Sequence, residues 1–442
     1  MKKTRLKLTA LAIFFWSAVG FSQSALFFSE YAEGSSNNKY LELYNNSSDT
    51  LNLEDYMLIT CTNGCENNEF EYDNSSILKG KKIAPHATFV VGHPKANADI
   101  LAKADATFTY MSNGNDWWAL CLAEDTSVID QIGFKSDQDT IDGWDVAGVK
   151  EATKDHTLVR KSWVKRGNNR SGNSQADWER SAGMDSIFSE WYVMERPTAD
   201  YTPSTLGSHS VSTLKAGDLA IVAYRAGAKT IDDEFALLTF VDIPEGTELH
   251  FTDMLYTANS VAQCKGGVVW IAPAGIKAGD VILVGQDNVV VDTGRIYGDG
   301  FGLSKGGDQV IIFEGLNDEA NHITALSTNA WSTTDITDCK GGESMLPKSL
   351  TNGTNAISHE ATKGNVSGNT VNAYYSGRMT GSLSSLKKRV FDYNNWEGAD
   401  ADVDQTWPTW NFGAEYVAPL FFSEYAEGSS NNKYLELYNN SS

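Results

Sequence analysis

Short runs rich in Val, Ile, Leu, Phe, Tyr and Thr alternate along the chain with clusters of Gly, Asn, Asp and Ser, and no long stretch repeats its apolar positions at the helical period. The pattern predicts an all-β protein. Strands are expected at 26–31, 39–44, 56–60, 88–91, 117–122 and 128–132, and again at 219–224, 235–241, 249–251, 268–271, 281–284 and 309–313. In Tyr40-Leu41-Glu42-Leu43-Tyr44 the two leucines share one face and Glu42 takes the other, the alternation of a half-buried sandwich strand. Between the first two strands, residues 33–38 read EGSSNN, a polar hairpin loop whose Gly and Asn tolerate positive φ.

At 442 residues the chain is longer than the ~250–300 at which a single core stops growing, so two domains plus ends are expected. Composition resets over the linker-like stretch 196–209. The division read from the sequence is 1–24 as a leader, 25–207 as a first sandwich, 208–415 as a second β-rich module of sandwich or barrel type, and 416–442 as a truncated start of another first-type domain. That last piece rests on an exact repeat: residues 26–48 and 420–442 carry the same 23 letters, a period too long for a solenoid. Two strands without an opposing sheet are marginal in water, so the second copy is expected to fray or to add to a sheet edge. The repeat also suggests an incomplete chain, with function in the part that is missing.

The first residues are basic, 8–21 are largely apolar, and small or polar residues follow, the layout of a secretory signal peptide. No later stretch is apolar enough to span a bilayer as a helix, so a secreted or cell-surface protein is expected. The 35 Lys and Arg against 57 Asp and Glu leave a net charge of −22, and loss of the leader takes it to about −26. Such acidity opposes nucleic-acid binding, which relies on Lys and Arg displacing counterions. Export also suits disulfides: Cys61 with Cys65 as a pinched loop, and Cys264 with Cys339. Cys121, between apolar neighbours, reads as a buried inert thiol.

Five segments in order resemble the bacterial lamin tail domain. They are SEYAEGSSNNKYLELYN at 29–45, LNLEDYML at 51–58, NGNDWWAL at 113–120, VIDQIG at 128–133 and KDHTLVRK at 154–161. The resemblance spans roughly 26–209 and implies an immunoglobulin-like β-sandwich of the kind carried by secreted or surface proteins in bacteria, often beside hydrolase or nuclease domains. It carries over no catalytic residues. The Cys61 to Cys65 loop and the insert at 73–82 depart from it. Residues 217–227 and 233–253 resemble a second module found beside lamin tail domains in exported bacterial proteins.

Candidate chemistry is sparse. Asp400, Asp402 and Asp404 match the first three ligand positions of a calcium loop, but Gln405 stands where the loop needs Gly and Asn411 where it needs Glu, so an acidic surface turn is the reading and calcium the alternative. Asp155-His156 lacks a nucleophile at triad spacing, and the chain has neither a GxSxG elbow nor an HExxH helix. Gly298 to Gly302 reads as a turn because it lacks the Lys-Ser or Lys-Thr ending of a phosphate loop. Trp117, Trp118, Trp144, Trp163 and Trp270 are assigned to cores, with a sugar-stacking platform as the minor option. The function expected is therefore non-catalytic: an exported multi-domain β-protein presenting binding or adhesion surface to an extracellular protein or glycan, with no cofactor. The alternative is the non-catalytic front of a larger secreted hydrolase or nuclease.

Overall fold

The structure is a computed structural model that describes residues 25–62, 65, 72–135, 142–226, 233–257, 267–285, 295–300, 302–304, 307–316, 320–336, 344–359, 372–399, 407–412 and 420–439. The leader-like residues 1–24, the Cys264 and Cys339 pair, and Asp400, Asp402 and Asp404 lie outside the described residues. The chain divides into two compact units, Met1–Ser210 and Val211–Ser442. Both are all-β.

In the first unit the strands are β1 (Leu26–Ala32), β2 (Tyr40–Asn45), β3 (Leu51–Asn52), β4 (Tyr56–Cys61), β5 (Tyr72–Asp73), β6 (Lys82–Ile83), β7 (Thr88–Gly92), β8 (Ala106–Thr107), β9 (Trp117–Leu122), β10 (Val128–Ile132), β11 (His156–Arg160) and β12 (Trp191–Glu195). A six-stranded sheet ordered β12-β11-β1-β2-β7-β8 and a four-stranded sheet ordered β10-β9-β4-β5 form an immunoglobulin-like sandwich. Its core includes Leu26, Phe28 and Tyr31 of β1, Leu41 and Leu43 of β2, Leu58 of β4, and Trp117, Trp118 and Leu120 of β9. Cys61 is disulfide-bonded to Cys65, with Cα atoms 5.0 Å apart. Among the described residues of the unit are two short helices, α1 (Ala98–Lys103) and α2 (Ser174–Ala182). Each starts at an Asn, Asn97 or Asn173, whose side chain accepts an N–H that helical geometry leaves unpaired.

The alternation in β2 does not leave Glu42 in water. Tyr40 and Ala32 join Val90, Ala96, Ile100 and Leu206 in a second, smaller apolar cluster that includes Ile100 of α1. β1 and β2 are buried at every residue as a result, and Glu42 is 0% exposed.

The second unit contains β13 (Leu219–Arg225), β14 (Glu234–Thr239), β15 (Glu248–Thr252), β16 (Gly267–Ile271), β17 (Val281–Gly285), β18 (Arg295–Gly300), β19 (Gln309–Glu314), β20 (Asn321–Ser327), β21 (Ala356–Ser358), β22 (Asn372–Tyr375) and β23 (Trp396–Ala399). They form a further sandwich from a five-stranded sheet, β17-β14-β13-β22-β23, and a six-stranded one, β18-β16-β15-β19-β20-β21. The core takes Leu237 and Phe235 from β14, Phe251 from β15, Trp270 from β16, Ile312 from β19, and Leu386 and Val390 from α3 (Leu383–Val390). Gly298 to Gly300, read as a turn, instead close β18, where Gly298 opposes Val268. Glycine content misleads there because pairing with β16 supplies the order that the residues themselves do not favour.

The repeated residues form β24 (Leu420–Glu427) and β25 (Lys433–Asn439), which pair with each other in a two-stranded sheet of their own. The second copy is thus a formed hairpin, neither frayed nor added to a sheet edge.

Candidate functional site

The centre of the first unit is an ionic network sealed from water. Arg160 of β11 places Nη2 3.2 Å from Asp130 Oδ1 and 3.2 Å from Glu190 Oε2, and Arg170 Nη1 sits 2.6 Å from Glu190 Oε1. Asp130 also accepts the N–H groups of Phe28, at 2.7 Å, and Asn168, at 2.8 Å. The Arg160 guanidinium lies 4.3 Å from the Trp191 ring centroid. Burial works to raise the Glu190 carboxyl, yet Arg160 and Arg170 together hold it below the usual range. Each member is tied to backbone or to another member, although Nε and Nη1 of Arg160 are buried without a hydrogen-bond partner, and the network locks β1, β10 and β11 together.

A second buried set lies on the other side of β1 and β2. Glu30 and Glu42 face each other across the hairpin register. Tyr40 donates its hydroxyl to Glu30, Ser29 Oγ donates to Glu42 Oε1 at 2.7 Å, and the Gly207 N–H donates to Glu42 Oε2 at 2.5 Å. Burial, reinforced by the neighbouring Glu42, pushes Glu30 up to about 8. Burial likewise pushes Glu42 up to about 7, against the lowering pull of Ser29 and Gly207. The pair holds protons near neutrality and fastens the segment around Gly207 to the sheet. Sequence reading missed it because the covering residues come from 96–104 and 206, far along the chain.

A recess of about 550 Å³ opens along β12, the terminal strand of the sheet order. Val149, Val193 and Met194 line it together with Asp155, His156, Glu195 and Arg196, and Val193 also packs against the sandwich core. Asp155 and His156 therefore do come together with a surface, but their bonds are structural. The Asp155 N–H donates to Glu33 Oε2 at 2.7 Å, Asp155 pairs with Arg196, and His156 Nδ1 lies 2.7 Å from the Lys154 carbonyl. Asp155 sits at a φ of 58°, which turns the chain into β11.

In the second unit Asp233, Asp253 and Asp308 converge on residues 302–304. Asp233 accepts the Leu303 N–H at 2.7 Å, Asp253 the Gly302 N–H at 2.9 Å and Asp308 the Ser304 N–H at 2.9 Å. Burial raises Asp308 to about 7, with Asp253 and Asp233 adding to it against two backbone hydrogen bonds. Among the described residues, no group of His, Cys, Asp and Glu is arranged to hold a metal ion. His359 is buried against Tyr224 and Trp396, and burial drives its pKa down to about 3. Cys121 is buried and its thiol pushed up to about 12 by burial, with Asp125 adding to the rise. Trp117, Trp118, Trp144, Trp163 and Trp270 are all buried. Trp407 and Trp410 are half-buried, with centroids 5.8 Å apart and the Arg225 guanidinium 4.9 Å from the Trp407 ring.

Compared with known families, residues 21–136 match the family model described as Lamin Tail Domain. The match takes in β1 to β10 and stops before β11 and β12, which lie within the span of the resemblance, roughly 26–209, and belong to the same sheet as β1 and β2. No curated protein and no solved structure matches the chain. Among the described residues no helix is long and apolar enough to cross a membrane. The first unit is thus similar to the lamin tail domain over β1 to β10, within an immunoglobulin-like sandwich that the strands β11 and β12, with Arg160 and the β12 recess, extend.

Proposed function

We propose that this chain is an exported, non-catalytic β-protein that presents a binding surface outside the cell, and that the surface on the first unit is the β12 edge, which takes a protein segment in extended form. The observation that carries the reading is the juxtaposition of a terminal sheet strand with an apolar recess about 550 Å³ in volume. A sheet edge offers unpaired backbone groups to an added strand, while a neighbouring pocket selects its side chains. The basic leader-like start and the strong negative charge support export and oppose a nucleic-acid ligand. The test is selection of displayed peptides on the full chain, compared with Met194→Arg and with Val193→Arg, together with N-terminal sequencing of protein recovered from culture medium. Enrichment of extended apolar peptides that both variants abolish is the expected result. Enrichment unaffected by either, or glycan binding alone, would sink the peptide reading, and recovery only from the cytoplasm would sink export.

A further inference from the structure

Lys39, immediately before β2, and Glu33, immediately after β1, are both buried and pair at 2.8 Å. Nζ of Lys39 also donates to the Ser112 carbonyl at 2.8 Å and to Asn113 Oδ1 at 2.9 Å. An amine, a side-chain carboxamide and a carboxylate therefore meet at one point. The backbone holds the other two groups against the lysine: the Asp155 N–H donates to Glu33 Oε2 at 2.7 Å, and the Asn113 N–H donates to Asp116 Oδ2 at 3.1 Å. Asn113 precedes Gly114, whose N–H is the group that ordinarily attacks an asparagine so placed. Here that N–H is committed to Ser112 Oγ at 3.0 Å, which leaves Lys39 as the nitrogen aimed at the carboxamide.

We propose that Lys39 and Asn113 form a self-modification site, at which Nζ of Lys39 displaces ammonia from the Asn113 side chain and leaves an isopeptide bond, with Glu33 carrying the protons. This goes beyond the β12 reading and does not depend on it. The step begins with a proton passing from the Lys39 ammonium to Glu33 Oε1, which turns a buried ion pair into a neutral amine and a neutral acid, the forms that burial favours. The amine lone pair then forms a C–N bond to Cγ of Asn113. Glu33 gives its proton to Nδ2 and takes one from Nζ as the bond from Cγ to Nδ2 breaks. Amine and primary amide become a secondary amide and ammonia, so neither oxidant nor reductant is consumed. Fixing the two groups in contact removes the entropic cost of bringing them together. Asn113 is exposed, so the ammonia has a way out. The bond would join the entrance of β2, in the six-stranded sheet, to the segment leading into β9, in the four-stranded one, and so staple the two layers of the sandwich. The modification happens once per chain and turns over no substrate. Lys433 and Glu427 repeat the pair at 2.7 Å, but their side chains are 56% and 61% exposed and no carboxamide contacts Lys433 among the described residues, so that lysine stays free.

Peptide mass mapping of the reduced full chain, incubated until its map no longer changes, tests the bond. The expected result is a branched peptide joining Lys39 to the segment of Asn113, lighter by one ammonia than its two parts, with Lys433 unmodified. Lys39 and Asn113 both recovered intact overturns the proposal. So does Asn113 recovered as aspartate or isoaspartate beside a free Lys39, which would assign the reactivity to Gly114 and water. Two variants test the roles. Asn113→Ala, a change at an exposed position, is expected to abolish the branched peptide, and a branch from Lys39 that persists would place the acceptor elsewhere and refute the site. Glu33→Gln keeps the size of the side chain without its proton chemistry and is expected to slow bond formation by about 100-fold or more. An unchanged rate in a Glu33→Gln chain whose circular dichroism matches the parent refutes the proton carrier. The map of the parent chain decides the bond itself whether or not that variant folds.

Discussion

The same 23 letters fold twice in this chain and end in opposite environments. At the first copy Lys39 and Glu33 pair at 2.8 Å with their side chains 11% and 10% exposed; at the second Lys433 and Glu427 pair at 2.7 Å, 56% and 61% exposed. Ser29 meets Glu42 at 2.7 Å and Ser423 meets Glu436 at 2.6 Å. Ser36 and Ser430 hold φ angles of 61° and 62°. Gly34 and Gly428 each sit where a Cβ would come within 2.2 or 2.4 Å of a backbone oxygen, Asn38 or Asn432. Hairpin geometry is therefore local. Burial is not, because it comes from residues that, among those described, surround only the first copy.

The largest expected difference lies in the residue that anchors the first hairpin from outside. Asp130→Ala strips Arg160 of a buried partner and leaves the Phe28 and Asn168 N–H groups unsatisfied, and should cost the first unit about 3–5 kcal/mol in chemical denaturation. The second hairpin should be untouched, as read from its amide exchange. Next comes one substitution made twice. Leu41→Ala should cost about 2–5 kcal/mol, and Leu435→Ala no more than about 0.5 kcal/mol to a chain kept monomeric by dilution. Equal costs would mean that the second copy is buried in solution.

The third comparison is in pH. Glu42 in the folded chain titrates near 7, above the ordinary 4.5, because its charged form is buried. Its contribution is thus fully present below about pH 4.5 and lost as pH rises through about 7. Glu42→Gln, which keeps an acceptor for Gly207 and a partner for Ser29, should stabilise the first unit by on the order of 2 kcal/mol at pH 8 and by little at pH 4.5. Thermal melts at the two pH values measure this, and a gain of equal size at both would exclude ionisation as its cause. Smallest is the lysine pair. Lys39→Met removes the donor to Glu33 Oε1 and to the Ser112 carbonyl, each contacted at 2.8 Å, at about 1–3 kcal/mol. Lys433→Met breaks an exposed pair and should leave the melting temperature unchanged.

Much of the architecture was legible from alternation alone. The expected strands at 219–224, 249–251, 268–271 and 309–313 fall on β13, β15, β16 and β19, since runs of branched apolar residues between turn formers have few other uses. Strands with little apolar content, such as Ala106–Thr107 and Trp396–Ala399, were not legible, because a neighbouring strand and not their own composition recruits them. Candidate sites fared less evenly. Asp155 and His156 stood out by adjacency, yet their hydrogen bonds serve the backbone. Asp130 and Glu42 looked like ordinary polar positions of strands, and only the chain packed over them reveals two carboxyl groups shut away from water. The one sequence signal was a carboxylate set among apolar neighbours, as in VIDQIG, which marks a buried partnered charge as readily as an outward face.

The sequence by itself determined the all-β class, the resemblance to the lamin tail domain and the internal geometry of both hairpins, because alternation, turn residues and hydrogen bonds along two adjacent strands are short-range properties. Only the tertiary structure decided that Glu30 and Glu42 hold protons, that Arg160 bridges two carboxylates, and that identical leucines are enclosed in one hairpin and exposed in the other. Those outcomes depend on which distant residues exclude water, and desolvation is a property of the assembled fold and not of the segment.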